Sequence, residues 1–131
     1  MDLKIIEIAS NTENNKVIGN FTHKSKNKNP ICGDEMEISL LVENNIVMDM
    51  GYQCKSCIYC QASVSLLSQK IKNKNLDEIK NFIITCENIF ENTKVNLEKK
   101  WKDFLQLFDK KNISRKECLL LPLRTVLKAL K

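Results

Sequence analysis

The sequence has little glycine, proline or aromatic residue: 3 glycines, 2 prolines and 6% aromatics in 131 residues. So few chain breakers exclude a disordered or repetitive low-complexity chain. With so few rings, Leu, Ile and Val must fill the core. Long apolar runs are missing too. The longest, residues 118–123, is far too short to span a bilayer. The opening "MDLKIIEIAS" is interrupted by Asp2, Lys4 and Glu7. It lacks the unbroken apolar segment of a signal peptide, so a cytoplasmic setting is expected. Aromatic–basic interleaving is absent as well. The lysines mix with Asn and Glu, as in "KIKNKNLDEIKN", which argues against a nucleic-acid module. The net charge of +5 then reads as a solvated face, or as a docking surface for an acidic partner.

What is present fits a globular protein. Hydrophobic residues make up 43% and charged residues 28%, and the length suits one domain over residues 1–131 with one sizeable core. Residues 1–10 read as a short helix with Leu3, Ile6 and Ile5 inward. A turn-rich connector follows, then a short strand in "NFTHKS" and a polar turn in "KNKNP". Residues 35–43, "EMEISLLVE", alternate cleanly and predict a half-buried strand. "NN" at 44–45 suits a tight hairpin turn, because Asn tolerates positive φ. The returning strand places Ile46, Met48 and Met50 on one face. An antiparallel sheet of this kind needs helices over one side.

After Cys57 the period changes from two to that of a helix. Cys57, Cys60, Val64, Leu67 and Ile71 form one stripe. A second helix is expected over 76–91, with Phe82, Ile83, Cys86, Ile89 and Phe90 on one face. A third covers 94–108, with Val95, Leu97, Trp101, Leu105 and Phe108 apolar. "DKKNIS" reads as a loop. "SRKE" at 114–117 has the form of a capping box. Pro122 would open a last helix at its first position, with Leu123, Val126, Leu127 and Leu130 inward. The fold class is α+β: a small antiparallel sheet of about three strands, covered on one face by C-terminal helices.

Six cysteines in a reducing compartment are thiols, metal ligands or catalysts rather than disulfides. Cys86, between Ile83 and Ile89, reads as a small buried hydrophobe. Cys60 reads as core. Cys57 falls at a helix N-terminus, where unpaired N–H groups and the helix dipole favour a thiolate. Cys32 sits in "NPICGD". On such a turn a thiolate and the carboxylate of Asp34 can converge on one cation. The plain alternative is a turn with Asp34 capping backbone N–H groups. Cys118 reads equally as a buried thiol or a functional one. Cys54, in the expected loop before Cys57, is ambiguous: the pair could be a redox CxxC or half a zinc knuckle, and the three thiols could begin a four-iron cluster motif, although "QASVSLL" follows in place of its fourth Cys and Pro. On a helix, residues three apart turn about 300° each, so three such thiols fan over roughly 120° and do not converge. His23, the only histidine, lies in a predicted strand and is given no role.

Three quoted segments resemble one family. "NPICGDEMEISLLVENNIV", Cys57 five residues before "ASVSLL", and "RKECLLLPL" are similar, in that order, to the U-type iron–sulfur cluster assembly proteins: the NifU N-terminal domain, IscU and SufU. The likeness covers about residues 15–131. It implies a site formed by Cys32, Asp34, Cys57 and Cys118 at one end of the sheet, holding zinc or a [2Fe-2S] cluster. It implies sulfur received as persulfide from a cysteine desulfurase, with Cys118 the first choice of acceptor and Cys57 the second. It further implies delivery to downstream apo-proteins or carriers, and a scaffold rather than an independent enzyme. The interval from Cys57 to Cys118 is similar to that of the SufU branch, and Glu117 replaces the His of the IscU branch. Cys54 and Ser56 stand where members have glycine, and Leu123 where SufU-like members often have Trp. Two other readings compete: a small redox or electron-transfer protein using Cys54, Cys57 and Cys60, and a zinc-stabilised interaction module. None involves nucleic acid or a membrane.

Overall fold

The computed structural model describes residues 3–31, 33–91 and 97–131. Among the described residues the sheet has three strands in the order β1 (His23–Lys28), β2 (Glu35–Glu43), β3 (Ile46–Lys55), each antiparallel to the next. The β2–β3 turn follows directly from its sequence. Asn44 and Asn45 both take positive φ, 53° and 63°, as a two-residue primed turn demands. β1 runs to Lys28, into the expected polar turn. β3 runs to Lys55, so Cys54 is in a strand and not in a loop. Its early alternation is broken by a bulge. Leu41 pairs with Asp49 but Val42 pairs with Val47, which leaves Met48 as the extra residue. Val47 and Met50 are therefore buried and Met48 is exposed, against the expected Ile46, Met48, Met50 face.

The inner sheet face carries Met36, Ile38, Leu40, Met50 and Tyr52, all buried. α2 (Ile58–Lys70) and α4 (Lys116–Ala129) pack over it. The outer face is polar, with Glu37 paired to Lys24 at 2.9 Å and Lys26 at 3.5 Å. These two ammonium groups hold the Glu37 carboxyl below its ordinary range. The connector before β1 crosses β3 closely. The Tyr52 N–H donates to the Asn14 carbonyl at 3.0 Å. A Cβ on Gly51 would run into the Lys16 carbonyl, so this position requires glycine.

α1 (Leu3–Ala9) lies on α2 and buries Ile5 and Ala9; Leu3 and Ile6 face outward, which corrects the expected face. The α2 stripe is as expected, with Cys60, Val64, Leu67 and Ile71 fully buried. α3 (Leu76–Glu87) starts where Asn75 accepts from the Glu78 N–H at 2.8 Å. It ends four residues earlier than expected, although Ile89 and Phe90 are still buried.

The expected third helix differs most. Val95 lies outside the described residues. Lys99–Gln106 form a 3-10 helix with three residues per turn. That repeat aligns Trp101, Phe104 and Leu107 inward and leaves Leu105 exposed. Phe82 stacks on Trp101 at 4.2 Å. A second 3-10 segment, Lys110–Arg115, replaces the expected loop. The capping box does not form: Arg115 is the N-cap of α4 and makes no side-chain cap bond. Glu117 instead meets Arg124, whose guanidinium also binds both oxygens of Glu87, at 2.7 and 2.9 Å. Pro122 is inside α4 rather than at its first position. It has no N–H to offer the carbonyl four residues back, at Cys118. Leu123, Val126 and Leu130 are inward as expected. No described helix is long and apolar enough to cross a membrane.

Candidate metal centre

Three chain segments converge at one end of the sheet. The first is the turn between β1 and β2. There the Gly33 N–H donates to the Asn29 carbonyl, and the Asn29 N–H to the Asp34 carbonyl, both at 2.8 Å. Gly33 takes φ +77°, open to glycine without strain. This turn folds Asp34 inward until only 6% of it is exposed. The second segment is the strand-to-helix junction. Cys57 is the N-cap of α2, extended at φ −69° and ψ 167°. The third is the first turn of α4, which carries the buried Cys118. The Ser63 hydroxyl donates to the Leu119 carbonyl at 2.6 Å and pins α2 against this turn.

The ligand atoms of Asp34, Cys57 and Cys118 all lie within 4.8 Å of one another. Asp34 Oδ1 accepts from the Cys57 N–H at 3.2 Å. Its other oxygen, Oδ2, is sealed from solvent and has no hydrogen-bond partner among the described residues. A carboxylate oxygen buried in this way is costly unless a cation satisfies it. Two thiols and one carboxylate suit zinc or iron, with thiolates as the soft ligands and the carboxylate as the hard one. Among the described residues this is the one such group, so Cys54, Cys57 and Cys60 do not make a second. Cys32, the fourth expected ligand, lies outside the described residues.

The remaining expected residues are placed as follows. Cys54 is half-buried on β3 opposite Met36. Burial raises its thiol pKa, with smaller contributions from Asp34 and Cys57. Cys60 and Cys86 are fully buried, and burial pushes both thiols far above their ordinary range. Cys86 is core, as expected. No disulfide joins the described cysteines. His23 Nδ1 shares a 2.8 Å hydrogen bond with Thr22 Oγ1, away from the site. One rim contact was not expected: the Arg115 guanidinium lies over the Tyr59 ring at 5.3 Å, joining the starts of α2 and α4. The signal for it was an Arg three residues before Cys118, together with a Tyr beside Cys60.

Comparisons with known proteins bear on this geometry. The NifU-like N terminal domain family matches residues 2–106. An iron-sulfur cluster assembly scaffold protein IscU of Thermotoga maritima is 30% identical over 128 residues, covering 97% of this chain and 89% of that protein. A zinc-dependent sulfurtransferase SufU of Bacillus subtilis is 33% identical over 49 residues, covering 37% of this chain and 33% of that protein. A crystal structure described as an iron-sulfur cluster assembly scaffold for the SUF system, from Fervidobacterium islandicum, superposes with a TM-score of 0.91. It is 24% identical and covers 100% of this chain and 96% of its own. A NifU-like N-terminal structure from Brucella abortus gives 0.89 at 19% identity, covering 98% and 90%.

Proposed function

This chain belongs to the NifU-like N-terminal domain family, and from that premise we propose that it is a cytoplasmic scaffold for iron–sulfur cluster assembly. The observation that carries this reading is the convergence of Asp34, Cys57 and Cys118 around a buried carboxylate oxygen that lacks a hydrogen-bond partner among the described residues. Cys32 supplies the fourth ligand. Zinc or iron with sulfide occupies the site, and the cluster is cargo for downstream apo-proteins or carriers. Sulfur arrives as persulfide from a cysteine desulfurase. Cys118 is the acceptor and Cys57 stands next to it. The carboxylate of Asp34 is the hardest ligand of the four, so it is the one to give way when sulfur arrives.

Anaerobic purification followed by measurement of zinc, iron and sulfide tests this. A scaffold carries metal through these residues, and Asp34→Ala then changes metal content or prolongs cluster lifetime. Unchanged content and lifetime would remove Asp34 from the ligand set. Cys118→Ser should abolish persulfide formation by desulfurase and cysteine. Undiminished labelling of that variant would rule out Cys118 as the acceptor.

A further inference from the structure

We propose that Cys57 and Cys60 form a dithiol that frees sulfide from a persulfide held on Cys57. The proposal rests on the sulfur-acceptor reading above and adds the residue that completes the reduction. Cys57 is the N-cap of α2, and its side chain makes no cap hydrogen bond. Cys60 is the third helical residue. These are the N-cap and N3 positions, the pair whose side chains in a capping box each reach the other residue's backbone N–H. Cys57 is half-buried, while Cys60 is fully buried behind it. Burial raises the Cys60 thiol above its ordinary range, and the neighbouring Asp34, Cys54 and Cys57 raise it further. It stands about one helical turn from Cys57, a member of the candidate metal centre. A Cys-x-x-Cys with an accessible first thiol at a helix start and a shielded second one is the arrangement for reversible disulfide formation.

The chemistry balances without an outside oxidant. Sulfur that lands on Cys118 passes to Cys57, whose sulfur lies within 4.8 Å. Cys57 attacks the outer sulfur and Cys118 leaves as a thiol. The Cys60 sulfur then attacks Cys57 Sγ. A Cys57–Cys60 bond forms and the persulfide S–S bond breaks. The outer sulfur departs as HS⁻, carrying the proton that Cys60 loses. The Cys60 sulfur is oxidised and the departing sulfur is reduced to sulfide. An external dithiol reductant, reaching the pair through Cys57, resets it by thiol–disulfide exchange.

The test uses the full chain, loaded anaerobically with inorganic polysulfide, desalted, and left without reductant. The wild type should release sulfide while a peptide map gains a Cys57–Cys60 disulfide. Cys60→Ala and Cys60→Ser should retain their persulfide, and Cys54→Ala should behave as the wild type does. Sulfide release that persists in both Cys60 variants would overturn the proposal. So would a wild-type disulfide joining any other pair, or loss of release in Cys54→Ala alone. The wild-type map stands even if a Cys60 variant fails to fold. Because polysulfide needs no desulfurase, failure of the acceptor reading shows separately, as no loading by desulfurase and cysteine.

Discussion

Asp34 and Cys57 are joined through the backbone: the Cys57 N–H donates to Asp34 Oδ1 at 3.2 Å, while Oδ2 is buried with no hydrogen-bond partner among the described residues. On the proposed function the two oxygens have separate jobs, and two substitutions separate them. Asp34→Asn keeps an acceptor for the N–H but loses the charge. It should fold with little change in stability while metal affinity falls by about tenfold or more. Asp34→Ala removes both and should cost a further ~1 kcal/mol of folding stability. Urea unfolding of the metal-free proteins, beside a metal titration, checks the pair. Equal stability losses in the two variants would refute the division.

Alkaline pH should destabilise the fold. Cys60 and Cys86 stay protonated in the folded chain well above their ordinary value of 9.0. On raising the pH, the unfolded chain loses these protons first. Their contribution is therefore complete below about pH 9 and declines above it, by about 1.4 kcal/mol per pH unit for each thiol. Urea midpoints at pH 8 and pH 10 measure the decline. Cys86→Ala should remove about half of it.

Gly51→Ala should cost about 1–3 kcal/mol, because the new methyl group meets backbone rather than a side chain that can swing away. The connector over β3 must lift, which breaks the Tyr52 to Asn14 hydrogen bond. Faster amide exchange at Tyr52, together with a lower urea midpoint, is the expected pattern.

Arg124 ties Glu117, the neighbour of Cys118, to Glu87 at the end of α3. Burial of the ion-paired group is partial, with 33% of the Arg124 side chain exposed. Arg124→Ala should therefore cost only about 0.5–1 kcal/mol. The loss should shrink in high salt, where the wild-type pairs are themselves screened. Thermal melts at two salt concentrations measure it, and alkylation of Cys118 should quicken in the variant.

Much of this arrangement was legible in the sequence where local rules and tertiary packing agree. The alternation of β2, the Asn44–Asn45 turn and the α2 stripe were all readable from period and φ preference alone. The errors arose where tertiary packing overrode a local rule. The bulge at Leu41–Val42 moved Met48 outward, and nothing in the alternation announces a bulge. Trp101, Phe104 and Leu107 follow a three-residue repeat, which a helical stripe reading misses by one position at Leu105. Ser114 and Glu117 had capping-box spacing, but Arg124 captured Glu117 from a distance of seven residues along the same helix. At the site, the family resemblance carried by three ordered motifs implied Cys32, Asp34, Cys57 and Cys118, and the last three of these converge. The buried Asp34 oxygen without a partner among the described residues is a tertiary fact with no local signature.

The convergence of residues 34, 57 and 118 has a practical consequence. A bound ion that grips all three acts as a clasp across segments far apart in the chain, and the unfolded chain offers no such clasp. Binding at a hundredfold excess over Kd adds about 2.7 kcal/mol to stability. The melting temperature then becomes an occupancy gauge: chelation should lower it by several degrees, and preparations that differ in loading will melt apart.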